Sequence, residues 1–188
     1  MSRKLSYVLR HDPESIGLRL DDGGWVEVKV LLDALAAHGI RLGVDELAEI
    51  VATNEKRRFT IEGERIRCAQ GHSVPVSLGL SAIQPPARLY HGTPEANVSS
   101  IKRRGLVKGT RHHVHLSRDP RSAARVGSRR GRVVVMVVDA AAMARDGYVF
   151  YRSANGVWLT DRVPPAYVRP QETAQAAVSD RGRSTTGT

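Results

Sequence analysis

Cysteine is all but missing from this chain: Cys68 is the single one among 188 residues. One thiol can neither close an intramolecular disulfide nor build a thiolate metal cluster. No apolar run comes near the roughly 18 residues that a membrane span needs. The opening stretch MSRKLSYVLRHD lacks the apolar h-region of a secretory signal. A soluble, cytoplasmic protein is the expectation. Lysine is scarce too, 5 against 24 arginines. Acidic side chains thin out along the chain. Residues 1–80 hold 12 Asp+Glu against 11 Lys+Arg, and residues 81–188 hold 7 against 18. The excess of positive charge, +10 in all, therefore lies in the second half. That half is the one expected to face a phosphate-rich partner. The arginine preference has two readings, a GC-rich genome or a use for planar bidentate forks on phosphate.

Hydrophobic residues make up 41% of the chain, enough for a packed core. The length suits one ordinary domain or two small lobes, and no internal repeat is present. Ser2–Arg10 predicts a short helix with Leu5, Val8 and Leu9 on one face. Gly23-Gly24 predicts a turn and Trp25–Val28 a strand. Helical spacing recurs over Val30–Ala37, closed by Gly39, and again over Val44–Val51. Arg58–Ile61 and Arg65–Ala69 flank Glu62-Gly63-Glu64 as a hairpin. Helix, strand, helix, helix, strand, strand is the order of a winged helix. Residues 81–87 read as a linker. Beyond it come a strand at Leu89–His91, a helix at Glu95–Arg104 ending at Gly105, a strand at Val114–Ser117 and a helix at Pro120–Gly127. A fully buried strand is expected at Arg132–Val138, with further strands at Val149–Arg152 and Val157–Thr160. Residues 171–188 are expected to be a disordered tail. The fold class is α+β: a helical first lobe over 1–80 and a mixed, largely antiparallel lobe over 88–170.

Six short segments could carry chemistry. Leu9-Arg10-His11 closes the first helix. Its cations suit a helix C-terminus, or a guanidinium and an imidazole together meet one phosphate. Asn54–Phe59 is a solvated basic turn or a contact to a nucleic-acid backbone. Ala69-Gln70-Gly71-His72-Ser73 is a turn, or a small donor-rich loop that approaches a nucleotide closely. His91-Gly92-Thr93 stands at a strand-to-helix junction, where glycine admits a ligand and a helix N-terminus offers N–H groups. His112-His113-Val114-His115-Leu116-Ser117 is dense in histidine. On a strand His113 and His115 share a face and offer two metal ligands. No third is evident, and no metal is expected. Val126–Arg132 is a basic surface loop or an anion-holding turn.

Taken in order, R-H on a first helix, N-E-K-R-R-F-x-I, A-Q-G-H-S, H-G-T, H-V-H-L-S, G-S-R and N-G-V-W-L-T resemble the RNA 2′-phosphotransferase family across residues 2–170. The resemblance implies a winged-helix RNA-binding lobe facing a lobe of the ADP-ribosyltransferase type. It implies NAD as co-substrate, RNA bearing a 2′-phosphate (tRNA among such RNAs) as substrate, and no metal. The catalytic set it implies is Arg10, His11, Arg58 and Arg129, with Arg57 and Arg130 as neighbours one position away. It implies an NAD pocket around His91, Gly92, Thr93, His115 and Ser117, and an RNA-contacting loop of Gln70, Gly71, His72 and Ser73. The implied reaction transfers the 2′-phosphate through an ADP-ribosylated intermediate to ADP-ribose 1″,2″-cyclic phosphate and leaves a 2′-OH. Residues 155–160 offer no carboxylate, which suits an acceptor that is already anionic. Two alternatives stand beside it. One is an ADP-ribosyltransferase that caps terminal RNA or DNA phosphates. The other is a non-catalytic winged-helix nucleic-acid binder, which the net charge of −1 over residues 1–80 disfavours. A monomer is expected of two small lobes without an evident exposed apolar stripe.

Overall fold

A computed structural model describes residues 1–127 and 132–171. The expected tail falls outside them apart from Gln171, whose backbone N–H donates to the Val135 carbonyl. Helix α1 (Ser2–Val8) buries Leu5 and Val8, and Leu9 just beyond it. It stops two residues short of the expected Arg10. Arg10 and His11 form the following turn, both N–H groups donating to the Tyr7 carbonyl. A short strand β1 (Val26–Glu27) leads into α2 (Val28–Ala37), and α3 (Val44–Ala52) follows. Leu31, Leu35 and Leu47 point from these helices into the same core. Strands β2 (Phe59–Glu62) and β3 (Arg65–Cys68) form an antiparallel hairpin, turned by Gly63 at φ 58°, with β1 on the far edge of β3. Phe59, Ile66 and Cys68 close this first core from the sheet side.

Residues 69–87 carry no helix or named strand, yet they are tethered at both ends. Ser73 and Val74 donate to the Arg10 carbonyl and Ser77 donates to that of Asp22. At the other end Ala82 bridges Tyr151 and Ile83 donates to the Phe150 carbonyl. The expected linker is thus partly a strand-like edge of the second half.

That half is built on β4 (Arg88–Pro94) paired along its whole length with β7 (Val133–Asp139), and β11 (Val168–Pro170) adds to β7. A second sheet has the order β6 (Val114–Leu116), β9 (Trp158–Thr160), β8 (Phe150–Arg152). Reciprocal backbone bonds between Tyr90 and Ser117, 2.9 and 2.7 Å, join the two sheets. A two-stranded pair, β5 (Leu106–Val107) with β10 (Arg162–Val163), lies apart. Every strand pair among the described residues is antiparallel. Helices α4 (Val98–Arg104), α5 (Pro120–Gly127) and α6 (Ala140–Arg145) complete the half. Its core gathers Leu89, Leu116, Met136, Val138, Met143, Phe150 and Trp158. The fold is a mixed helix-and-sheet arrangement around two hydrophobic cores, and no described helix is long and apolar enough to cross a membrane.

Three expectations need correction. The strand at 132–138 is not buried throughout: Met136–Val138 are, Val133–Val135 are half-buried. The buried part has a strand on both sides, β4 and β11, whereas the other part has β4 alone. The helix expected from Glu95 begins at Val98, after a 3-10 turn at Glu95–Asn97. Strand β4 also runs past His91 through Gly92 and Thr93, which pair with Val135 and Val134. His91-Gly92-Thr93 is therefore ladder, not a strand-to-helix junction. Gly92 serves packing: a Cβ there would lie 1.8 Å from the Ala123 carbonyl oxygen of α5. Gly127 on α5 faces it from the other side, its own Cβ position 2.7 Å from the Gly92 carbonyl carbon. Helix and strand meet backbone to backbone. Gly92→Ala is expected to cost about 3 kcal/mol through overpacking. Thermal denaturation checks it as a Tm fall of about 10 °C.

Candidate active site

The turn after α1 and the loop after β3 lie against each other, and the second half closes over them at Gly71. Gly71 has φ 87°, and a Cβ there would be 3.7 Å from Arg10 Nη1 and 3.8 Å from His115 Nε2. Three segments far apart in sequence thus meet around a residue with no side chain. His11 is tied to the same loop, its Nδ1 lying 3.0 Å from Ser73 Oγ. Arg10 Nε and Nη2 are buried with no hydrogen-bond partner among the described residues. Buried guanidinium donors without acceptors cost free energy, and an anion would satisfy both.

The surrounding imidazoles are held neutral. His115 Nδ1 stands 3.3 Å from Arg111 Nη1. A guanidinium can only donate, so His115 accepts at Nδ1 and carries its proton on Nε2, the atom facing Gly71. Burial first, then the charges of Arg111 and Arg10, push its pKa down to about 3. His72 is 1% exposed and neither ring nitrogen has a hydrogen-bond partner among the described residues. Burial, then Arg10 and His112, lower its pKa to about 4. His11 and His91 are also lowered, chiefly by burial. His91 Nδ1 donates to the His115 carbonyl at 3.0 Å, which fixes the backbone of β6 against β4. Arg10 and Arg111 carry the positive charge that these rings feel.

Arg58 joins the group through Cys68. The Cys68 thiol is buried, which raises its pKa, while Arg10 beside it and Arg58 oppose that rise. Arg58 is half-buried; its neighbour Arg57 is exposed and takes a left-handed backbone at φ 42°. The geometry prefers Arg58 as the inward-facing member of the pair. Asn155 reaches this turn from the second half: its Nδ2 donates to the Lys56 carbonyl at 3.1 Å, and its Oδ1 accepts from Ser153 Oγ. Arg129 lies outside the described residues, as does Arg130. Thr93 is buried within β4, and Ser117 is engaged by its backbone in joining the sheets. Gly92 has its open side filled by α5, so it does not admit a ligand there. Arg10, His11, Arg58, Gly71, His72 and His115 are brought together. Gly92, Thr93 and Ser117 support the sheet behind them.

Between the rings lies a cavity of about 240 Å³, lined by Gln70, Gly71, His72, His112, His115 and Tyr151, among others. His112, Tyr151, Arg111 and Asn155 were not singled out from the sequence as individual site residues. His112 belongs to the histidine-dense run and Asn155 to the final N-G-V-W-L-T stretch, whereas Arg111 and Tyr151 lie in neither. No group of three or more His, Cys, Asp or Glu among the described residues is placed to hold a metal ion. His115 is instead turned to Arg111, and the His113 ring lies against Tyr151 at 5.4 Å.

A buried neutral imidazole has a consequence for acid stability. The folded His72 titrates near pH 4 and an unfolded histidine near 6.5, so the unfolded chain takes up a proton first as the pH falls. Stability is present above pH 6.5 and is lost progressively down to pH 4, by about 3 kcal/mol from this residue. Urea denaturation at pH 7 and pH 4.5 is expected to show a smaller loss for His72→Asn than for the parent protein.

Comparison with known proteins places this arrangement. The model of the RNA 2′-phosphotransferase, Tpt1 / KptA family matches residues 1–162. A probable RNA 2′-phosphotransferase of Streptomyces coelicolor is 56% identical over 169 residues, covering 90% of this chain and 93% of the relative. One of Streptomyces griseus is 52% identical, covering 89% and 94%. A probable RNA 2′-phosphotransferase of Hahella chejuensis is 47% identical, covering 92% and 94%. A match over most of the chain, with identity near half in distant bacteria, is a family relationship: the chain belongs to the RNA 2′-phosphotransferase, Tpt1 / KptA family.

Proposed function

We propose that this protein is an NAD-dependent RNA 2′-phosphotransferase. In this reading residues 1–80 are a winged-helix lobe that holds RNA, and residues 88–170 an ADP-ribosyltransferase-like lobe that holds NAD. The observation that carries it is the meeting of Arg10 with His115 across Gly71, with His11 tied to the same loop through Ser73, at the seam between the two cores. The order of α1, β1, α2, α3 and the β2–β3 hairpin supports the first assignment, and the basic charge beyond residue 80 supports the second.

The residues fit an anionic dinucleotide and a phosphate ester. Among the described residues Arg10 presents two buried donors without a hydrogen-bond partner, and His72 a ring without one at the wall of the cavity. Gly71, at positive φ, leaves the loop backbone open beside both. NAD supplies the ADP-ribosyl group that receives the RNA 2′-phosphate, releasing nicotinamide and ending as ADP-ribose 1″,2″-cyclic phosphate with 2′-OH RNA. Arg10 and Arg58 grip the phosphate, where charge accumulates as phosphorus is attacked. His11 sits beside Arg10 and is neutral in the free protein. A phosphate dianion next to it raises its pKa and lets it carry a proton to the departing 2′-oxygen. Ser73 holds the ring for that task. His115 offers its Nε2–H to the ligand side of Gly71. Residues 155–160, the region matching the one where many protein ADP-ribosyltransferases carry a glutamate, hold no carboxylate, and Asn155 opens it. Its amide is spent on Lys56 and Ser153, and a phosphate acceptor needs no such base. Arg129 is assigned the step on phosphorus from the family pattern.

Incubation with NAD and a short RNA bearing one internal 2′-phosphate, without metal, tests the reading. Conversion to 2′-OH RNA with release of the cyclic phosphate supports it; bound NAD with no conversion overturns it in favour of another acceptor. Arg58→Ala is expected to lower turnover at least 10–100-fold, the value of one charge-assisted contact, with an unchanged melting curve. Arg129→Ala is expected to accumulate ADP-ribosylated RNA, seen as a band of retarded mobility in a denaturing gel.

A further inference from the structure

A second, wider groove of about 610 Å³ opens beside the cavity and shares His112, His113 and Tyr151 with it. Neither the family pattern carried into the site nor the reaction just described uses it. Lys108, Arg111 and Arg162 line it, together with the half-buried rings of Tyr148 and Tyr151. One carboxylate, Asp161, faces it, and Lys108 holds that carboxylate in an ion pair. With three cations and one carboxylate in its lining, the groove is net positive. The Arg162 guanidinium lies 6.0 Å from the centre of the Tyr148 ring, and His113 stands edge-on to Tyr151. No Asn or Gln lines the groove among the described residues.

We propose that this groove is a path for single-stranded RNA beyond the reacting nucleotide, a proposal that rests on RNA being the substrate. Cations interleaved with half-buried aromatic rings suit a chain of phosphates and bases, because a base can stack on the open part of a tyrosine while its phosphate meets an arginine. Stacking tolerates every base, and no side-chain amide among the described residues lines the groove to read an adenine edge. The groove therefore lengthens the contact mainly through stacking and phosphate pairing. Continuity supports the direction. Arg111 bonds His115 at one end and lines the groove at the other, so a strand leaving the phosphate-binding arginines passes over it.

The test is length-dependent binding, read by fluorescence anisotropy without NAD. The probes are 3- and 10-nucleotide RNAs bearing one internal 2′-phosphate, and a plain 10-nucleotide RNA. The parent protein is expected to bind both 10-mers more tightly than the 3-mer, with an affinity that falls as salt rises. Arg162→Glu is expected to weaken 10-mer binding about 10-fold while the 3-mer changes far less. Tyr148→Leu, which keeps the apolar packing of that position, is expected to behave alike, and melting curves confirm that both variants fold. Unchanged length dependence in both variants overturns the proposal. So does a rise in the KM for NAD with RNA binding intact, which would assign the groove to the dinucleotide. Failure of the underlying reading is distinguishable: the parent protein would then bind no RNA of either length.

Discussion

Everything at the site hangs on one backbone docking, that of the Ser73 and Val74 N–H groups on the Arg10 carbonyl. These bonds fix the turn after the first helix against the loop that leaves the first sheet. The loop must pass a guanidinium and an imidazole at Gly71 without touching either, which a residue lacking Cβ at positive φ can do. The Ala82 and Ile83 contacts to β8 then anchor the same strap to the second core. One stretch without regular structure is thus the ruler that sets Arg10 against His115.

A second tie acts on the opposite rim. Asn155 closes the distance between the last hairpin region of the second half and the Lys56 carbonyl, two residues before Arg58. The arginines of the first half are in this way located by the second half as well as by their own core. Behind them Cys68 contributes a small, buried, uncharged wall, its thiol kept protonated by burial.

Much of this was legible in the sequence because the relevant signals are local. The helices show apolar spacing, the hairpin shows its glycine, and the Arg-His and Gly-His pairs sit beside each other. What escaped was set by partners far along the chain. Strands β5, β10 and β11 are two or three residues long and too short to show a period, so only pairing defines them. Gly92 looked like a gap for a ligand, but the gap is filled by a helix 30 residues on. Asn155 carried no mark of its bond to residue 56, and Arg111 none of its role between His115 and the groove. The motif favours Arg58 over Arg57, and the left-handed backbone at Arg57, which is exposed while Arg58 is half-buried, agrees with that preference.

His72 and His115 of the cavity are neutral because burial and adjacent arginines hold them so. Its positive charge therefore resides on guanidinium groups, which do not titrate in any physiological range. That guanidinium charge is constant between mildly acid and alkaline conditions. The group that changes is the guest: a phosphate monoester takes on its second negative charge near pH 6. The dianion is then the form that meets the constant guanidinium charge and raises the pKa of His11, so the charge state of the RNA sets the protonation of the site.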